Sequence, residues 1–386
     1  HEKAVNDKQC LQLKDAMRIK RMFDSHVVIH LADHESQHLM LYCPVLYVKG
    51  ALSVWEDPLV FKELHIDHCQ AQFSILDSIP SYIHQRYKWG IKQQAPLPLG
   101  QVFLKRKKNF ERGRAVISYY ATCAADLLKG TSLALLVMLD KVWPHHLGKK
   151  TPPQLWKSLQ KFFSETPLDM DLHMVNDDLV GFFNSVPQSR ISQSVELLIS
   201  LYMQNVQHEY ISVSVRGKRN PYTEPPVQGR SLRSRGLYGQ RLIRTQDIPD
   251  IVRLSFSTGI FLALNRFWQQ CDGTSIGNQI SPVLSAVPIA AMEHGWHQSF
   301  REQLQGCKFF LARYVDNRIL IAEPSTLQLL PFQTLTLDAF YGSPVLLEDV
   351  GDEHFLGFDI DTRNRSISFI QPKSQWQIRR YAGAGS

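Results

Sequence analysis

Long apolar runs are missing from this chain. The densest, Leu133 to Leu139, falls far short of the roughly 18 to 20 residues that a membrane-spanning helix requires. Paired cysteines are missing too. Cys10, Cys43, Cys69, Cys123, Cys271 and Cys307 are scattered without a Cys-x-x-Cys pair, so free thiols in a reducing compartment are the simplest reading. His65-x-x-His68-Cys69 has no second ligand pair, and Glu293-His294-x-x-His297 lacks the His-Glu-x-x-His order of zinc proteases. The chain opens at His1 without a methionine or a signal-peptide pattern, and ends in Ala382-Gly383-Ala384-Gly385-Ser386; both ends suggest a piece of a longer protein. No internal repeat is evident. Two local shortages stand out. Residues 216 to 244 carry one acid, Glu224, and residues 323 to 353 carry no Lys or Arg.

What is present fits a globular protein. The chain has 386 residues, 44% hydrophobic and 20% charged, enough for two or three domains with a sizeable core. A net charge of +7 and a pI near 9.0 favour a polyanionic partner.

Residues 1–95 show scattered aromatics, many histidines and no catalytic pattern. Pro96 to Gly100 marks a boundary. Beyond it, two strand-like runs flank a basic stretch holding Lys105, Arg106, Lys107, Lys108, Arg112 and Arg114, which predicts a hairpin. Helices are expected over 121–143 and 153–163, divided by Pro144 and Pro152-Pro153. A buried strand is expected over 173–180 and a helix over 191–207. Residues 216–244, with eight Lys or Arg, three Pro and four Gly, read as a loop suited to phosphate contacts. Helical spacing is expected to resume over 247–268 and again over 281–292. Phe309 to Ile321 predicts two strands turning at Asp316, and 353–360 with 366–370 a further strand pair.

Four stretches carry the chemistry. Tyr314-Val315-Asp316 lies between apolar runs, where a hairpin tip would hold a carboxylate. Asp178 opens Asp178-Leu179-Val180-Gly181-Phe182-Phe183-Asn184-Ser185-Val186-Pro187. Gly273-Thr274-Ser275-Ile276-Gly277-Asn278-Gln279-Ile280-Ser281-Pro282 lies between them, and Phe355-Leu356-Gly357-Phe358 comes last. Two-metal sites hold divalent cations about 3.5 to 4 Å apart on hard oxygen ligands. Carboxylates converging from separate strands, Asp178 and Asp316, meet that need.

In this order the motifs resemble those of reverse transcriptases, RNA-directed DNA polymerases, over roughly residues 100–372. The resemblance selects Asp178 over Asp177, because Asp178 places an aromatic, Phe183, at plus five and Val186-Pro187 at plus eight and nine. It implies an α+β right-hand polymerase, fingers and palm, with an antiparallel palm sheet backed by helices. It leaves 1–95 as an N-terminal extension of unknown role and implies fingers over 96–170, a palm with the catalytic aspartates over 171–325 and the basic insertion 216–244, and the end of the palm, primer grip and start of a thumb over 326–386. It gives Asp178 and Asp316 the metals, two Mg²⁺ or Mn²⁺, with Asn317 a weak third ligand. Lys107, Arg112, Arg114 and Gly277 would contact the nucleotide. Phe183 would exclude a 2′-hydroxyl, Phe355, Leu356 and Gly357 would form the primer grip, and Arg230, Arg233 and Arg235 would touch nucleic acid. The implied partners are an RNA template, a DNA or RNA primer and deoxynucleoside triphosphates. No membrane is implied, and the location is intracellular, nuclear or cytoplasmic.

The departures narrow the resemblance. Ser275-Ile276 replaces the usual Pro-Gln, and Phe261-Leu262-Ala263-Leu264-Asn265 is similar to a stretch of Penelope-like retroelements. Asn317 stands where most reverse transcriptases carry a second aspartate; its amide adds no charge. With no Lys or Arg over 323–353 to protonate a leaving pyrophosphate, His354 is the substitute on hand. The rivals are an RNA-directed RNA polymerase, which Phe183 speaks against, and an inactive reverse-transcriptase-like module that binds nucleic acid, which Asn317 keeps open.

Overall fold

The computed structural model describes residues 18, 21, 27–32, 35–105, 110–214, 240–351 and 354–369. The chain divides into two compact units, each made of separate stretches: residues 1–125 with 256–278, and residues 126–255 with 279–386. Both are mixed α+β.

The first unit is organised by a five-stranded sheet. Its order is Phe61–Leu64, Arg266–Gln270, Ile260–Ala263, Leu99–Leu104 and Gly113–Ser118. Neighbours run antiparallel except at the Leu99 and Leu262 contact, which is parallel. Trp55, Phe61, Phe261 and Trp268 fill the core on this sheet, with the helix Pro44–Trp55 packed in. The helix His68–Asp77 starts where Asp67 and Gln70 satisfy each other's backbone N–H groups, a reciprocal cap that closes off free donors.

The single helical stretch expected over 247–268 is not what forms. A helix spans only Ile248–Ser257. Strands Ile260–Ala263 and Arg266–Gln270 follow, paired as a hairpin. The reason is local. Leu264 and Asn265 both take positive φ, 51° and 59°, so the chain reverses within two residues, as a tight hairpin turn needs. The apolar residues that mimicked helical spacing are strand residues whose partners lie far off in sequence.

In the second unit a four-stranded antiparallel sheet runs in the order Phe309–Tyr314, Asn317–Ala322, His173–Leu179, Leu347–Asp349. Helices Gln188–Val206 and Ser281–Ser299 pack against each other in this unit. Pro152 and Pro153 open the helix Pro152–Ser164 behind Thr151, whose N–H donates to Gln154 Oε1 at 2.8 Å; proline suits this position because its missing N–H would find no partner there. Leu155, Leu159, Phe162 and Phe163 from that helix meet Phe310, Ile319 and Ile321 of the sheet. The strand expected over 353–360 is split by the turn at Leu356-Gly357, so three strands form where a pair was expected, His354–Phe355, Phe358–Asp361 and Ser366–Phe369. Among the described residues no helix is long and apolar enough to cross a membrane.

Candidate active site

Asp178 and Asp316 come together at one end of the second unit's sheet. Asp178 sits near the end of the central strand His173–Leu179, directly opposite Asn317 on the neighbouring strand. Asp316 occupies the two-residue turn between Phe309–Tyr314 and Asn317–Ala322. Leu179 N–H donates to Asp316 C=O at 2.8 Å, which fastens the turn to the central strand. The Asn317 amide then donates to Asp178 Oδ1 at 3.0 Å and to Asp316 Oδ1 at 3.2 Å. Two carboxylates therefore lie within hydrogen-bond reach of a single nitrogen. All three side chains are half-buried.

Asp177 has a different life. Its carboxylate takes hydrogen bonds from Arg318 Nε at 3.1 Å and Nη2 at 2.5 Å. Successive strand residues point to opposite faces, so one step along the strand separates a buried ion pair from the carboxylate beside Asn317.

Immediately after Asp178 the chain turns sharply. Gly181 takes φ +63°, and a Cβ there would meet Ser185 Oγ at 2.4 Å, so glycine is favoured. Ser185 Oγ donates to Val180 C=O at 2.8 Å and Asn184 N–H to Gly181 C=O at 2.7 Å. The turn buries Phe182 and leaves Phe183 half-exposed, the rings edge-on at 5.2 Å. Phe182 lies beneath the Arg313 guanidinium, 5.9 Å from ring centre to Cζ.

Sequence reasoning passed over what lies behind this end of the sheet. Arg313 and Arg318 are paired directly across the hairpin, both almost entirely buried. Like charges in that register repel, and each has its own carboxylate. Arg318 holds Asp177; Arg313 donates Nε and Nη2 to Glu293 at 2.5 and 3.2 Å. Burial opposes the Arg313 charge, yet Glu293 holds the guanidinium above its ordinary range. Tyr341 O–H donates to Glu293 Oε1 at 2.9 Å, and burial pushes its phenol well up. The readable signal was the pair of arginines flanking Tyr314-Val315-Asp316-Asn317 in otherwise apolar strands, since buried arginine demands a counter-ion.

The remaining expected residues fall in several places. In the first unit Arg112 immediately precedes the hairpin's second strand and Arg114 is that strand's second residue, Arg112 exposed and Arg114 half-buried opposite Phe103. Gly277, also there, has φ +108°, and a Cβ would sit 2.3 Å from Ile117 C=O. This close approach follows from Ile117 N–H donating to Ile276 C=O at 2.8 Å. Nearby, the Tyr119 hydroxyl contacts Ser275 Oγ at 3.0 Å, and burial raises its pKa to about 12. In the second unit Phe355 is buried in the core, while Leu356 and Gly357 make the turn before Phe358 with φ 53° and 81°. His354 is engaged with the Asp359 carboxylate. Lys107, Arg230, Arg233 and Arg235 lie outside the described residues.

The donor chemistry fits a hard divalent cation: two carboxylates converge beside an amide at the open end of a sheet. Among the described residues no three His, Cys, Asp or Glu side chains gather as a metal cage; beside the two carboxylates stands the Asn317 amide.

No family model matches the chain, and no curated protein matches it by sequence. Solved structures do. The telomerase of Candida albicans, in complex with a fragment of telomeric RNA, aligns over 95% of this chain and 58% of its own, with TM-score 0.59 and 13% identity. The telomerase of Candida tropicalis with such a fragment aligns over 92% and 53%, with TM-score 0.63 and 10% identity. Its apo form aligns over 91% and 57%, with TM-score 0.60 and 12% identity. The chain thus spans little more than half the length of these structures, and what it shares with them is a reverse-transcriptase-like fold.

Proposed function

We propose that this chain is the fingers and palm of a template-directed nucleotidyltransferase that makes DNA on RNA from a primer 3′-hydroxyl. One observation carries the reading: Asp178 and Asp316, 138 positions apart in sequence, share the Asn317 amide at adjacent strand ends. Asp178 and Asp316 would hold the divalent cations, with Asn317 as a neutral neighbour. Bound there, such ions supply charge stabilisation at the reacting phosphate and the attacking oxygen. Phe183 would lie against the sugar. Triphosphate contacts at Lys107, Arg112, Arg114 and Gly277, a primer grip at Phe355, Leu356 and Gly357, and nucleic-acid contacts at Arg230, Arg233 and Arg235 rest on the resemblance. So do the fingers, palm and thumb boundaries, a retroelement origin and an intracellular location. The likeness to telomerase structures supports the polymerase fold.

Primer extension tests the reading. Purified chain is given an RNA template, a DNA primer, deoxynucleotides and Mg²⁺ or Mn²⁺. Extension is expected, and Asp178→Ala or Asp316→Ala should each reduce it at least about 1,000-fold, about 4 kcal/mol of barrier, with primer–template binding retained. Normal extension by either variant would remove the assignment. Asn317 favours one second reading, an inactive palm that only binds nucleic acid; binding without extension in either metal would select it.

A further inference from the structure

Behind the candidate site, a continuous chain of buried and partly buried hydrogen bonds runs to the backbone that carries Asp316. Glu293 is 1% exposed and lies on the helix Ser281–Ser299. Its Oε2 accepts from Leu147 N–H at 2.8 Å and from Arg313 Nη2 at 3.2 Å. Its Oε1 accepts from Arg313 Nε at 2.5 Å and Tyr341 O–H at 2.9 Å. Arg313 then donates Nη1 to Val315 C=O at 2.6 Å. Val315 immediately precedes Asp316 and takes φ +57°, a left-handed conformation that is a genuine outlier for a β-branched residue. Such a conformation persists where its surroundings enforce it. Gly148 closes the arrangement, since a Cβ there would stand 2.9 Å from Arg313 Nη2.

We infer that Glu293 and Arg313 are positioning residues: through the Val315 carbonyl they fix the strained turn that aims the Asp316 carboxylate. Arginine is needed because its planar fork serves Glu293 with two nitrogens and Val315 with the third. Lysine keeps the charge but not that span. Neither residue belongs to the carboxylate pair proposed to hold the cation. The inference rests on the polymerase reading for its catalytic consequence, while its structural claim concerns cation affinity at Asp316.

Arg313→Lys, Glu293→Gln, Asp316→Ala and wild type would be compared by Mn²⁺ titration with water-proton relaxation, and by steady-state extension with varied Mg²⁺. Asp316→Ala should lose the Mn²⁺ site. A folded Arg313→Lys should bind Mn²⁺ several-fold more weakly, need several-fold more Mg²⁺ for half-maximal extension, and lose about tenfold in kcat with the deoxynucleotide KM and primer–template affinity unchanged. Wild-type Mn²⁺ affinity in Arg313→Lys would overturn the inference, as would equal losses in kcat, KM and primer–template binding. If Arg313→Lys does not fold, Glu293→Gln is judged by the same readouts; its single amide oxygen keeps an acceptor for either Tyr341 or Leu147, while the lost charge loosens Arg313. A wild type that extends no primer counts against the polymerase reading alone, and the Mn²⁺ shift still decides the inference.

Discussion

Asp177 and Arg318 face each other across two neighbouring strands and form an ion pair with both charges out of water. The Arg318 guanidinium also lies over Phe340 and Tyr341, at 5.6 and 5.8 Å. This pair gives adjacent aspartates opposite duties, and the division can be measured.

Asp177→Asn should cost about 3–5 kcal/mol, because it strands a buried guanidinium without its counter-charge. Asp178→Asn should change stability by no more than about 1 kcal/mol, since Asp178 is half-buried and keeps a hydrogen-bonding neighbour. Urea denaturation of both variants decides it. Equal costs would mean the two carboxylates are interchangeable in the fold.

Asn317→Asp replaces the shared donor with a third negative charge. The apo protein should lose stability from carboxylate repulsion, and added Mg²⁺ or Mn²⁺ should restore it more than in wild type, by ligand linkage. Half-maximal extension should then need less Mg²⁺. Melting temperatures at zero and millimolar Mg²⁺ give the first comparison; an Asn317→Asp protein that ignores the cation would show that the pair binds none.

Phe183→Ala tests sugar choice. The ratio of kcat/KM for ribonucleotides to that for deoxynucleotides should rise by one to two orders of magnitude, about 1.4 to 2.8 kcal/mol. Phe182→Ala, which empties a core position beneath Arg313, should instead lower both values through lost packing. An unmoved ratio in Phe183→Ala would assign that ring to the core as well, and the RNA-polymerase alternative would gain.

Gly277→Ala should destabilise the first unit by about 1–3 kcal/mol or more, because the new methyl overlaps Ile117 C=O and the backbone has φ +108°. The check is the denaturation midpoint, with Gly295→Ala as control, since a Cβ at Gly295 meets nothing within 4 Å. Similar midpoints for the two variants would contradict the close approach.

A histidine stack predicts a pH response. His145 lies parallel to His297 at 4.1 Å and to His294 at 5.8 Å. Burial lowers the pKa of His294, with smaller contributions from His145, His297 and His146; burial, then His145 and Arg301, lower that of His297. The unfolded chain, with His near 6.5, therefore binds more protons than the folded one between 6.5 and the depressed values. Stability should rise with pH across that window and fall as pH drops below 6.5. His145→Gln should flatten the slope of the urea midpoint between pH 7.5 and 5. A slope unaffected by that substitution would dismiss the stack as its source.

The convergence of Asp178 and Asp316 was legible in sequence because the resemblance to reverse transcriptases selects Asp178 through Phe183 and Val186-Pro187, and because a polar tip between apolar runs announces a hairpin. The role of Glu293 was not legible: it sits beside His294 and His297 near the end of the helix Ser281–Ser299, and its partners Arg313, Tyr341 and Leu147 come from three other segments. The strands of 260–270 were misread for a related reason. Their periodicity is shared by short helices and buried strands, and only the turn at Leu264-Asn265 and the distant strand Phe61–Leu64 separate the two.

That distant strand has a consequence for how the protein is made. Among the described residues Phe61–Leu64 finds its sheet partner only in Arg266–Gln270, so the ribosome must add roughly 200 residues before the pairing can close. At about 5–20 residues per second, roughly 10 to 40 seconds separate the emergence of the two strands. For that interval the early segment offers an unpaired edge to any other chain. The whole of 126–255, including the strand that bears Asp178, is synthesised inside that delay. Yet it must itself wait for 309–322, so neither unit can finish folding from its N-terminal part alone. Slow, non-local closure of this kind makes the two units ripen almost together, late in translation.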